Sequence, residues 1–499
     1  MAVHSRVFLA LLAVAVLGLS LIPGWGVFDN RAARWGGLAA LVLALAASCG
    51  RDRVWRGSAR LARLAVAAAA ALLVVQGTLV IFLQPFKVET PVWMKVLVAV
   101  VAVAVAVATA RRQLACLTTT LVAAVTLVLA GNGAFFAAVL SDEAKPVPVQ
   151  VMHAAACVGF VTVASLFLHL GAPEVKWRRW FAVQLLALFA AGAIVRLSAV
   201  LAVPEPGIDV YVILRDSTHF LGQGYNPYTT KPPDIDYWPY AAYPPLPLLM
   251  CLPFEAVGLD VRYANVVCDL LAAVVLVWAG WRRGCPLTGA LAAGAYLHFP
   301  RAPFMIEQAW YEPMLAALLG GGLLLAESGR RVGSLLLGLG LTGKQYGLAM
   351  LPPVLMARRG QWRAVLLGVG VAVAAVLLPF FLWDPKAFLD VVLFKHLDWP
   401  IRPDAMTLHT WALYELGWGL PRSLPWALAA LLLGWITWRT PATGTGAGLW
   451  VGTALFAFVF CHTQGFYNYF YLCEYLLLLG IAGLAVPAQE EPGPGAGIK

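Results

Sequence analysis

Charged residues are scarce in this sequence. Asp, Glu, Lys and Arg make up 12% of the 499 residues, whereas hydrophobic residues make up 61%. The mean hydropathy of +0.79 is far from that of a soluble globular domain. The net charge of +10 would favour nucleic-acid binding in a soluble protein, but here the arginines form short clusters between apolar runs, which is typical of membrane topology signals. The composition therefore predicts an all-α polytopic membrane protein.

The sequence also lacks the usual motifs for metal, disulfide or nucleotide chemistry. Its eight cysteines form no Cys-x-x-Cys pair, its histidines are scattered, and no glycine-rich nucleotide-binding loop is present. Cysteines within apolar runs are typical of small buried side chains. Asp234 and Asp236 could hold a divalent cation, but exposed carboxylates in a proline-rich loop are usually solvated. We therefore expect no required metal and no disulfide. We also expect a retained first helix, because no small-residue cleavage site follows the apolar run near the N-terminus.

Apolar runs that could cross a bilayer follow one another along most of the chain. A helix needs about 20 apolar residues to span the hydrocarbon core. Basic clusters follow alternate runs, as at 111–112 and 176–179. Because basic loops stay in the cytoplasm, both termini are predicted to be cytoplasmic. The predicted full spans are 7–23, 35–50, 64–84, 94–110, 114–140, 150–170, 180–203, 263–281, 286–303, 311–327, 364–382, 424–438, 446–461 and 470–486.

The segment 332–357 has an unusual predicted topology. Basic clusters flank it on both sides, at 330–331 and 358–359, so it must cross the membrane an even number of times. It is too short for two full crossings at about 1.5 Å per residue. The sequence predicts a short helical hairpin with Gly343–Tyr346 at its tip. Lys344 would then lie deep in the membrane, which is costly unless it meets an anion or lines a wet cavity.

The longest polar interval, Pro204–Phe254, follows the predicted span 180–203 and should lie on the outer face. A loop of this length between membrane helices usually has a function. Its apolar end, 245–257, is too short and too rich in proline to span, and is predicted to lie in the outer interface. Two further loops, at about 383–405 and 462–469, fall on the same face. The sequence thus predicts a functional site at the outer face.

Four stretches carry a resemblance to a known family. They are Asp209–Tyr211 with Leu221–Tyr228, Tyr243–Leu246, Gly340–Tyr346 and Gln464–Tyr471. In this order and spacing they resemble the GT-C superfamily of membrane glycosyltransferases, particularly glycosyltransferase family 87, whose members use polyprenyl-phosphate sugars. The resemblance covers about 180–486. It implies a GT-C-like helical core at 176–487 with a long first outer loop. The resemblance does not extend to residues 1–175, whose apolar runs predict an added six-helix domain of unknown role. The polar, Gly/Pro-containing residues 488–499 are predicted to be a disordered cytoplasmic tail.

The resemblance implies an inverting transferase. It would move one sugar, mannose or another hexose, from a polyprenyl-phosphate donor to a glycolipid or glycan acceptor. The reaction would take place at the extracytoplasmic face of the cytoplasmic membrane, without a cofactor beyond the lipid-linked sugar and without nucleic acid. Such a reaction needs a base for the acceptor proton and a cation for the leaving phosphate.

The resemblance also implies roles for individual residues. Asp209 is the expected base, because the reduced dielectric at a membrane surface strengthens the affinity of a carboxylate for a proton. Lys344 is the expected phosphate ligand, with Arg301 and Arg402 in support. The expected substrate-binding residues are Tyr211, Asn226, Tyr228, Tyr243, Glu312, Tyr346, His462, Gln464 and Asn468.

Simpler interpretations exist for each of these residues. Asp209 could be a solvated loop residue, and Lys344 could extend to the outer surface. Arg196, near the end of its span, could pair with a donor phosphate, but it is expected to reach the interface instead. A lone histidine at a helix end, such as His462, is more often structural, and outer-face tyrosines commonly form an aromatic belt.

Two other functions remain open at this stage. A transporter or lipid flippase would show paired repeats with broken helices, and only one broken hairpin is evident. A ligase or polymerase that joins preformed glycans would differ from the transferase only in product size.

Overall fold

The structure, a computed structural model, describes part of the chain. The described residues are 9–10, 12–15, 31–49, 117–136, 144–169, 174–231, 241–397, 400–442 and 446–484. They form helices and turns, and within these ranges there is no β-strand. The predicted all-α membrane fold is confirmed. The predicted spans 64–84 and 94–110, the Asp234 and Asp236 pair and the predicted tail 488–499 lie outside the described residues.

The helices are numbered in chain order. The N-terminal helices are α1 (Arg31–Cys49), α2 (Leu117–Phe136), α3 (Pro146–Phe167) and α4 (Glu174–Ala202). The next group is α5 (Asp209–Gly222), α6 (Leu246–Glu255), α7 (Arg262–Arg282), α8 (Pro286–Leu297), α9 (Ala302–Glu307), α10 (Glu312–Glu327), α11 (Arg331–Thr342) and α12 (Gly347–Ala357). The last group is α13 (Trp362–Ala372), α14 (Leu378–Trp383), α15 (Pro385–Leu389), α16 (Lys395–Leu397), α17 (Leu408–Leu416), α18 (Ser423–Arg439), α19 (Gly448–Cys461) and α20 (Tyr467–Leu484).

Four helical stretches of the described chain are long and apolar enough to cross a membrane. They are Pro146–Phe167, Arg179–Ala202, Arg262–Arg282 and Arg359–Trp383. The last stretch is continuous because a π-helical turn at Val373–Leu377 joins α13 to α14. Many of the other helices are shorter and contribute to a closely packed interior, which includes α8, α19 and α20.

Glycine allows two helix pairs to pack at very short range. A Cβ atom on Gly280 of α7 would lie 2.5 Å from the Cα of Gly289 in α8. A Cβ atom on Gly338 of α11 would lie 2.2 Å from the carbonyl oxygen of Gly368 in α13. Small residues at helix interfaces let backbones approach closely in membrane bundles, so these glycines set the packing of the core.

The described N-terminal helices pack onto the C-terminal core. Thr119 of α2 hydrogen-bonds Thr288 of α8 at 3.0 Å, and Thr126 donates to the carbonyl of Leu291 at 3.0 Å. Helix α1 lies against α19, where Thr453 donates to the carbonyl of Ala44 at 3.5 Å. The N-terminal helices are therefore part of the same packed body as the rest of the described chain.

The predicted hairpin is confirmed. Helices α11 and α12 run into and out of a turn at Gly343–Tyr346. Lys344 at its tip is 5% exposed, so the alternative in which it extends to the surface is wrong. The segment 245–257, which was predicted to lie in the interface, contains helix α6.

Three other sequence expectations can be compared with the fold. The polar interval after α4 is not one irregular loop, because α5 lies within it. The expectation that Arg196 reaches the interface is wrong, because its side chain is fully buried and paired with Asp269. The expectation of buried cysteines is confirmed for those whose side chains the structure describes, namely Cys157, Cys251, Cys268, Cys285, Cys461 and Cys473.

The Arg196–Asp269 pair joins α4 to the core. Asp269 of α7 also accepts hydrogen bonds from the hydroxyls of Tyr296 and Tyr471, while Arg196 donates to the carbonyl of Leu297 at 2.9 Å. A buried charge needs partners of this kind because its desolvation is expensive. The network therefore ties α4, α7, α8 and α20 together.

Candidate active site

The tip of the α11–α12 hairpin carries a buried ion pair. Lys344 Nζ contacts Glu312 Oε1, and the two side chains are 4% and 0% exposed. The same carboxylate oxygen accepts hydrogen bonds from the Tyr346 hydroxyl at 3.1 Å and from Asn468 Nδ2 at 2.9 Å. Glu312 is the first residue of α10, where the positive end of the helix dipole favours a carboxylate. The sequence placed Glu312 among the substrate contacts, and the structure places it beside the lysine as its counter-ion.

Four tyrosine rings surround the ammonium group of Lys344. The distances from Nζ to the ring centroids are 5.9 Å for Tyr243, 4.6 Å for Tyr311, 5.2 Å for Tyr346 and 4.3 Å for Tyr469. An ammonium group within about 6 Å of an aromatic face is stabilised by the ring quadrupole. We call Lys344, Glu312 and these four tyrosines the lysine cage.

Three buried polar atoms at the lysine cage have no hydrogen-bond partner among the residues that the structure describes. They are Glu312 Oε2, the Tyr311 hydroxyl and Asn468 Oδ1. Leaving such an atom unsatisfied costs about 1–3 kcal/mol. Most buried polar atoms in native proteins are paired, so exceptions of this kind point to a functional site.

The backbone before Glu312 adopts a conformation that a side chain rarely takes. Ala309 has φ 57° and is, in the part of the chain that the structure describes, the one residue other than glycine with positive φ. It lies between α9 and α10, and it turns the chain so that Tyr311 and Glu312 enter the cage. Backbone strain of this kind is often found at functional sites.

Residues of the 383–405 segment lie near the cage. Gln345 donates to the carbonyl of Val392 at 3.0 Å, and His396 contacts the carbonyl of Ala242 at 2.8 Å. Burial lowers the pKa of His396, and the nearby Lys344 lowers it further. His396 is therefore neutral at neutral pH, and its ring can donate one hydrogen bond to that carbonyl.

His462 and Gln464 close the connection between α19 and α20. The backbone N–H of Gln464 donates to His462 Nδ1 at 3.0 Å, and the Gln464 side chain donates to the carbonyl of Pro400. Burial lowers the pKa of His462 to about 4, and the neighbouring His396 and His409 contribute to that shift. The Gln464 contact joins the connection between α19 and α20 to the segment before α17. Within the described residues, no hydrogen bond or ion pair joins His462 or Gln464 to Lys344.

Asn226 and Tyr228 are not members of the cage, but they support the backbone of one of its residues. The side-chain oxygen of Asn226 accepts from the backbone N–H of Tyr228 at 2.9 Å, which makes an Asx turn. The Tyr228 hydroxyl donates to the carbonyl of Tyr243 at 2.7 Å. The turn after α5 therefore supports the backbone of a residue whose ring lines the cage.

Asp209 is the first residue of α5, and its Oδ1 accepts from the backbone N–H of Val210 at 2.8 Å. Across the described ranges, no hydrogen bond or ion pair joins Asp209 to Lys344. The predicted base, Asp209, and the predicted phosphate ligand, Lys344, are therefore not bonded to each other in this structure. Tyr211, two residues later, donates to the carbonyl of Pro204 at 3.3 Å.

Arg262, which the sequence analysis missed, holds the connection that leads to Asp209. Its side chain is fully buried and pairs with Asp260 at 2.6 Å. It also donates to the carbonyls of Val203 at 2.7 Å and Pro204 at 2.8 Å, and it lies 4.8 Å from the ring of Tyr211. A guanidinium group is suited to this task because its donors form a rigid fork. In the sequence Arg262 could not be distinguished from a loop arginine, because its partners are backbone carbonyls far along the chain.

Arg301 and Arg402 lie against the start of α20 and the loop before it. The guanidinium of Arg301 lies 4.3 Å from the ring of Tyr467. Arg402 pairs with Asp404 at 2.6 Å and lies 4.8 Å from the ring of Phe466. Arg402 also interacts electrostatically with Tyr469, a member of the lysine cage. Of the predicted site residues, the structure brings together Lys344, Tyr243, Glu312, Tyr346 and Asn468.

The described residues contain no group of three or more His, Cys, Asp or Glu side chains that could hold a metal ion. The chemistry available at the cage is instead that of a shielded cation, a carboxylate and aromatic rings. Carboxylates, amides and aromatic rings suit a polyhydroxylated ligand, and a cation suits an anionic group. The fold and the cage thus define a polytopic membrane protein with a buried polar site.

Comparison with known proteins identifies the family. Residues 240–491, about half of the chain, match glycosyltransferase family 87, and the chain belongs to that family. The protein is therefore a membrane glycosyltransferase, which uses a lipid-linked sugar donor and an acceptor. No curated protein and no solved structure matches the chain significantly. The family match includes every residue of the lysine cage, whereas Asp209 lies before it.

Proposed function

We propose that the protein is an inverting hexosyltransferase of the GT-C type. It transfers one sugar, mannose or another hexose, from a polyprenyl phosphate to a glycolipid or glycan acceptor on the extracytoplasmic face of the cytoplasmic membrane. Lys344 binds the donor phosphate and Asp209 is the general base. The observation that carries the proposal is the lysine cage, a buried cation among aromatic rings with unsatisfied polar atoms beside it.

The unsatisfied atoms support a sugar bound next to the phosphate. The Tyr311 hydroxyl can donate to a sugar hydroxyl, whereas Glu312 Oε2 and Asn468 Oδ1 can accept from one. Aromatic rings also suit the C–H faces of a sugar ring. The same small site can therefore hold both parts of a sugar phosphate, which supports a lipid-phosphate donor. Because family membership establishes a transferase, the flippase alternative is set aside.

The proposed reaction is a single displacement. The acceptor oxygen forms a bond to C1 of the sugar while the bond between C1 and the phosphate oxygen breaks, and its electron pair leaves with the polyprenyl phosphate. The acceptor proton passes to the Asp209 carboxylate. Attack on the face opposite the leaving group inverts the configuration at C1. Lys344 stabilises the charge that develops on the phosphate, where a fixed cation in a water-poor site is most effective.

The role of Asp209 is supported by the way in which its position is fixed. Arg262 binds the backbone immediately after α4, and α5 starts at Asp209 itself. The turn after α5 is in turn bonded to Tyr243 through Tyr228. A rigid connection on both sides of α5 is what a base needs, because misplacement by about 1 Å can reduce a rate by about 10²-fold.

The proposal is tested by transfer of radiolabelled mannose from polyprenyl-phosphate mannose by the purified full-length protein. Asp209→Asn should reduce transfer by about 10²–10⁴-fold, and Lys344→Ala by about 10²–10³-fold. Glu205→Gln is the matched control for Asp209, since Glu205 is exposed and precedes it in the same connection. Full activity in both the Asp209 and the Lys344 variant would disprove the mechanism.

The proposed orientation can be tested with single cysteines. Gly360 lies between α12 and α13, Gly419 lies between α17 and α18, and a Cβ atom at either site would meet open space. We expect Gly419→Cys to react with a membrane-impermeant maleimide in intact cells, and Gly360→Cys to react only after permeabilisation. The reverse pattern would place the lysine cage on the cytoplasmic face and refute the orientation.

A further inference from the structure

An N-terminal helix that lies outside the family match makes a buried ion pair with an outer-loop helix. Arg34 of α1 binds Glu415 of α17 through Nη2 at 2.6 Å and through Nε at 2.9 Å. The two side chains are 7% and 5% exposed. A two-pronged bond between buried charges fixes geometry more strongly than a surface ion pair.

Aromatic residues reinforce this contact. Trp35 Nε1 donates to the second oxygen of Glu415 at 3.2 Å. The ring of Trp35 packs edge to face on Trp411 at 5.2 Å, and the Arg34 guanidinium lies 5.5 Å from the ring of Tyr414. One turn of α1 therefore packs against one face of α17. We call these residues of α1 and α17 the Arg34 clamp.

The clamp extends to the segment that carries Arg402. Arg34 Nη1 donates to the carbonyl of Pro403 at 3.3 Å. Thr410 of α17 donates to the carbonyl of Arg402 at 3.3 Å. The backbone next to Arg402 is thus held from the N-terminal helix on one side and from α17 on the other.

The same segment is bonded to the loop that leads into α20. The backbone N–H of Met406 donates to the carbonyl of Gly465 at 2.7 Å. Arg402 packs on Phe466 of that loop. Two residues further on, Asn468 donates to Glu312 in the lysine cage. A short series of direct contacts therefore leads from Arg34 to the cage.

We propose that the Arg34 clamp is a positioning device for donor binding, so that the N-terminal domain completes the donor site. This inference rests on the proposed function. Arg34 does not touch the donor; it holds the 400–407 segment and the loop before α20, so that Arg402 and Asn468 keep their places beside the lysine cage.

The test measures donor affinity separately from catalysis and from folding. Binding of a short-chain polyprenyl phosphate to the full-length protein is measured by calorimetry in detergent, alongside KM and kcat for transfer and the thermal unfolding temperature. Arg34→Ala should raise both the Kd for polyprenyl phosphate and the donor KM by roughly tenfold, within the range typical of coupled contacts, with a much smaller change in kcat. A purely structural ion pair would lower the unfolding temperature and leave Kd and KM unchanged.

A double-mutant cycle shows whether the pair acts as a unit. Glu415→Gln keeps an oxygen for Trp35 and is the second variant should Arg34→Ala fold poorly. In combination, Arg34→Ala and Glu415→Gln should raise Kd no further than either change alone. Arg283→Ala is the matched control, because it breaks an ion pair with Glu327 at the end of α7, away from the cage, and should leave Kd unchanged.

The outcomes separate this inference from the proposed function. If the wild-type protein does not bind polyprenyl phosphate, the proposed donor site is wrong. If the wild type binds it and both clamp variants bind it equally well, the positioning role of Arg34 is wrong and the proposed function stands. An equal rise in Kd in the Arg283→Ala control would also overturn the inference, since the effect would then be a general consequence of lost ion pairs.

Discussion

The lysine cage allows a catalytic role to be separated from a structural one. Replacing Lys344 with methionine keeps an unbranched side chain of similar length but removes the charge. Glu312 would then be a fully buried carboxylate that retains, among the described residues, the hydrogen-bond donors Tyr346 and Asn468. Removing one partner of a buried ion pair costs about 3–5 kcal/mol, because the other charge stays desolvated.

Combining Lys344→Met with Glu312→Gln should reverse this loss. The introduced amide carries no charge, and its oxygen can still accept from Tyr346 and Asn468. Replacing both members of a buried pair by neutral groups is often close to neutral for stability. We therefore expect the double variant to recover most of the free energy of unfolding that Lys344→Met loses.

Activity should not follow stability. Without the ammonium group, the leaving phosphate has lost a fixed cation, which is worth about 10²–10³-fold in rate. We expect both variants to transfer labelled sugar at that reduced rate, although only the single variant unfolds at a lower temperature. The assay pairs sugar transfer with thermal unfolding of the same purified samples. If the double variant regains transfer together with stability, Lys344 is a structural residue and the reasoning about the cage is wrong.

Three further predictions concern packing, pH and the position of the base. Gly320→Ala should lower the free energy of unfolding by about 1–3 kcal/mol, because its Cβ atom would lie 1.9 Å from the hydroxyl of Tyr475; thermal unfolding checks this. Stability should fall as the pH drops from about 6.5 to about 4, because His462 takes up a proton far more readily once unfolded. His462→Gln should weaken that pH dependence by up to about 1.4 kcal/mol per pH unit. Arg262→Ala should reduce kcat by roughly 10²-fold, because Asp209 would lose its fixed position.

Each of these predictions has a control or a contrary outcome. Gly370→Ala should have no such effect, since a Cβ atom there would meet open space, and an equal loss at Gly370 would show that the clash with Tyr475 is not the cause. Superimposable pH curves for the wild type and His462→Gln would refute the assignment to that histidine. Unchanged kcat in Arg262→Ala, with only a lower unfolding temperature, would mean that the arginine serves folding alone.

The hairpin could be predicted because it follows from features that lie close together in the sequence. The basic clusters at 330–331 and 358–359 and the length of the segment between them are visible in the sequence, and together they require α11, a turn and α12. The need for an anion near Lys344 followed from the cost of burying an ammonium group. Which residue supplies that anion could not be predicted, because Glu312 lies 32 positions away and at a helix start that resembles several others.

The contacts that the sequence did not reveal are long-range. Arg196 and Asp269 are separated by 73 positions, and Arg34 and Glu415 by 381. A single sequence shows which residues are charged, but the pairing depends on how helices pack. Helix α5 was missed for a different reason. Its apolar residues 210–214 are followed by the polar residues 215–219, and a helix that is both short and half polar looks like part of a loop in hydropathy alone.

The Arg196–Asp269 network determines where this protein can be divided. The similarity to its family starts at residue 240, yet Asp269 inside that stretch depends on a guanidinium group from α4, well before it. A chain shortened to the matched residues would leave that carboxylate in an apolar interior without the guanidinium group, and with tyrosine hydroxyls as its remaining hydrogen-bond donors among the described residues. The limit of sequence similarity is therefore not a boundary at which this protein could be cut and still fold.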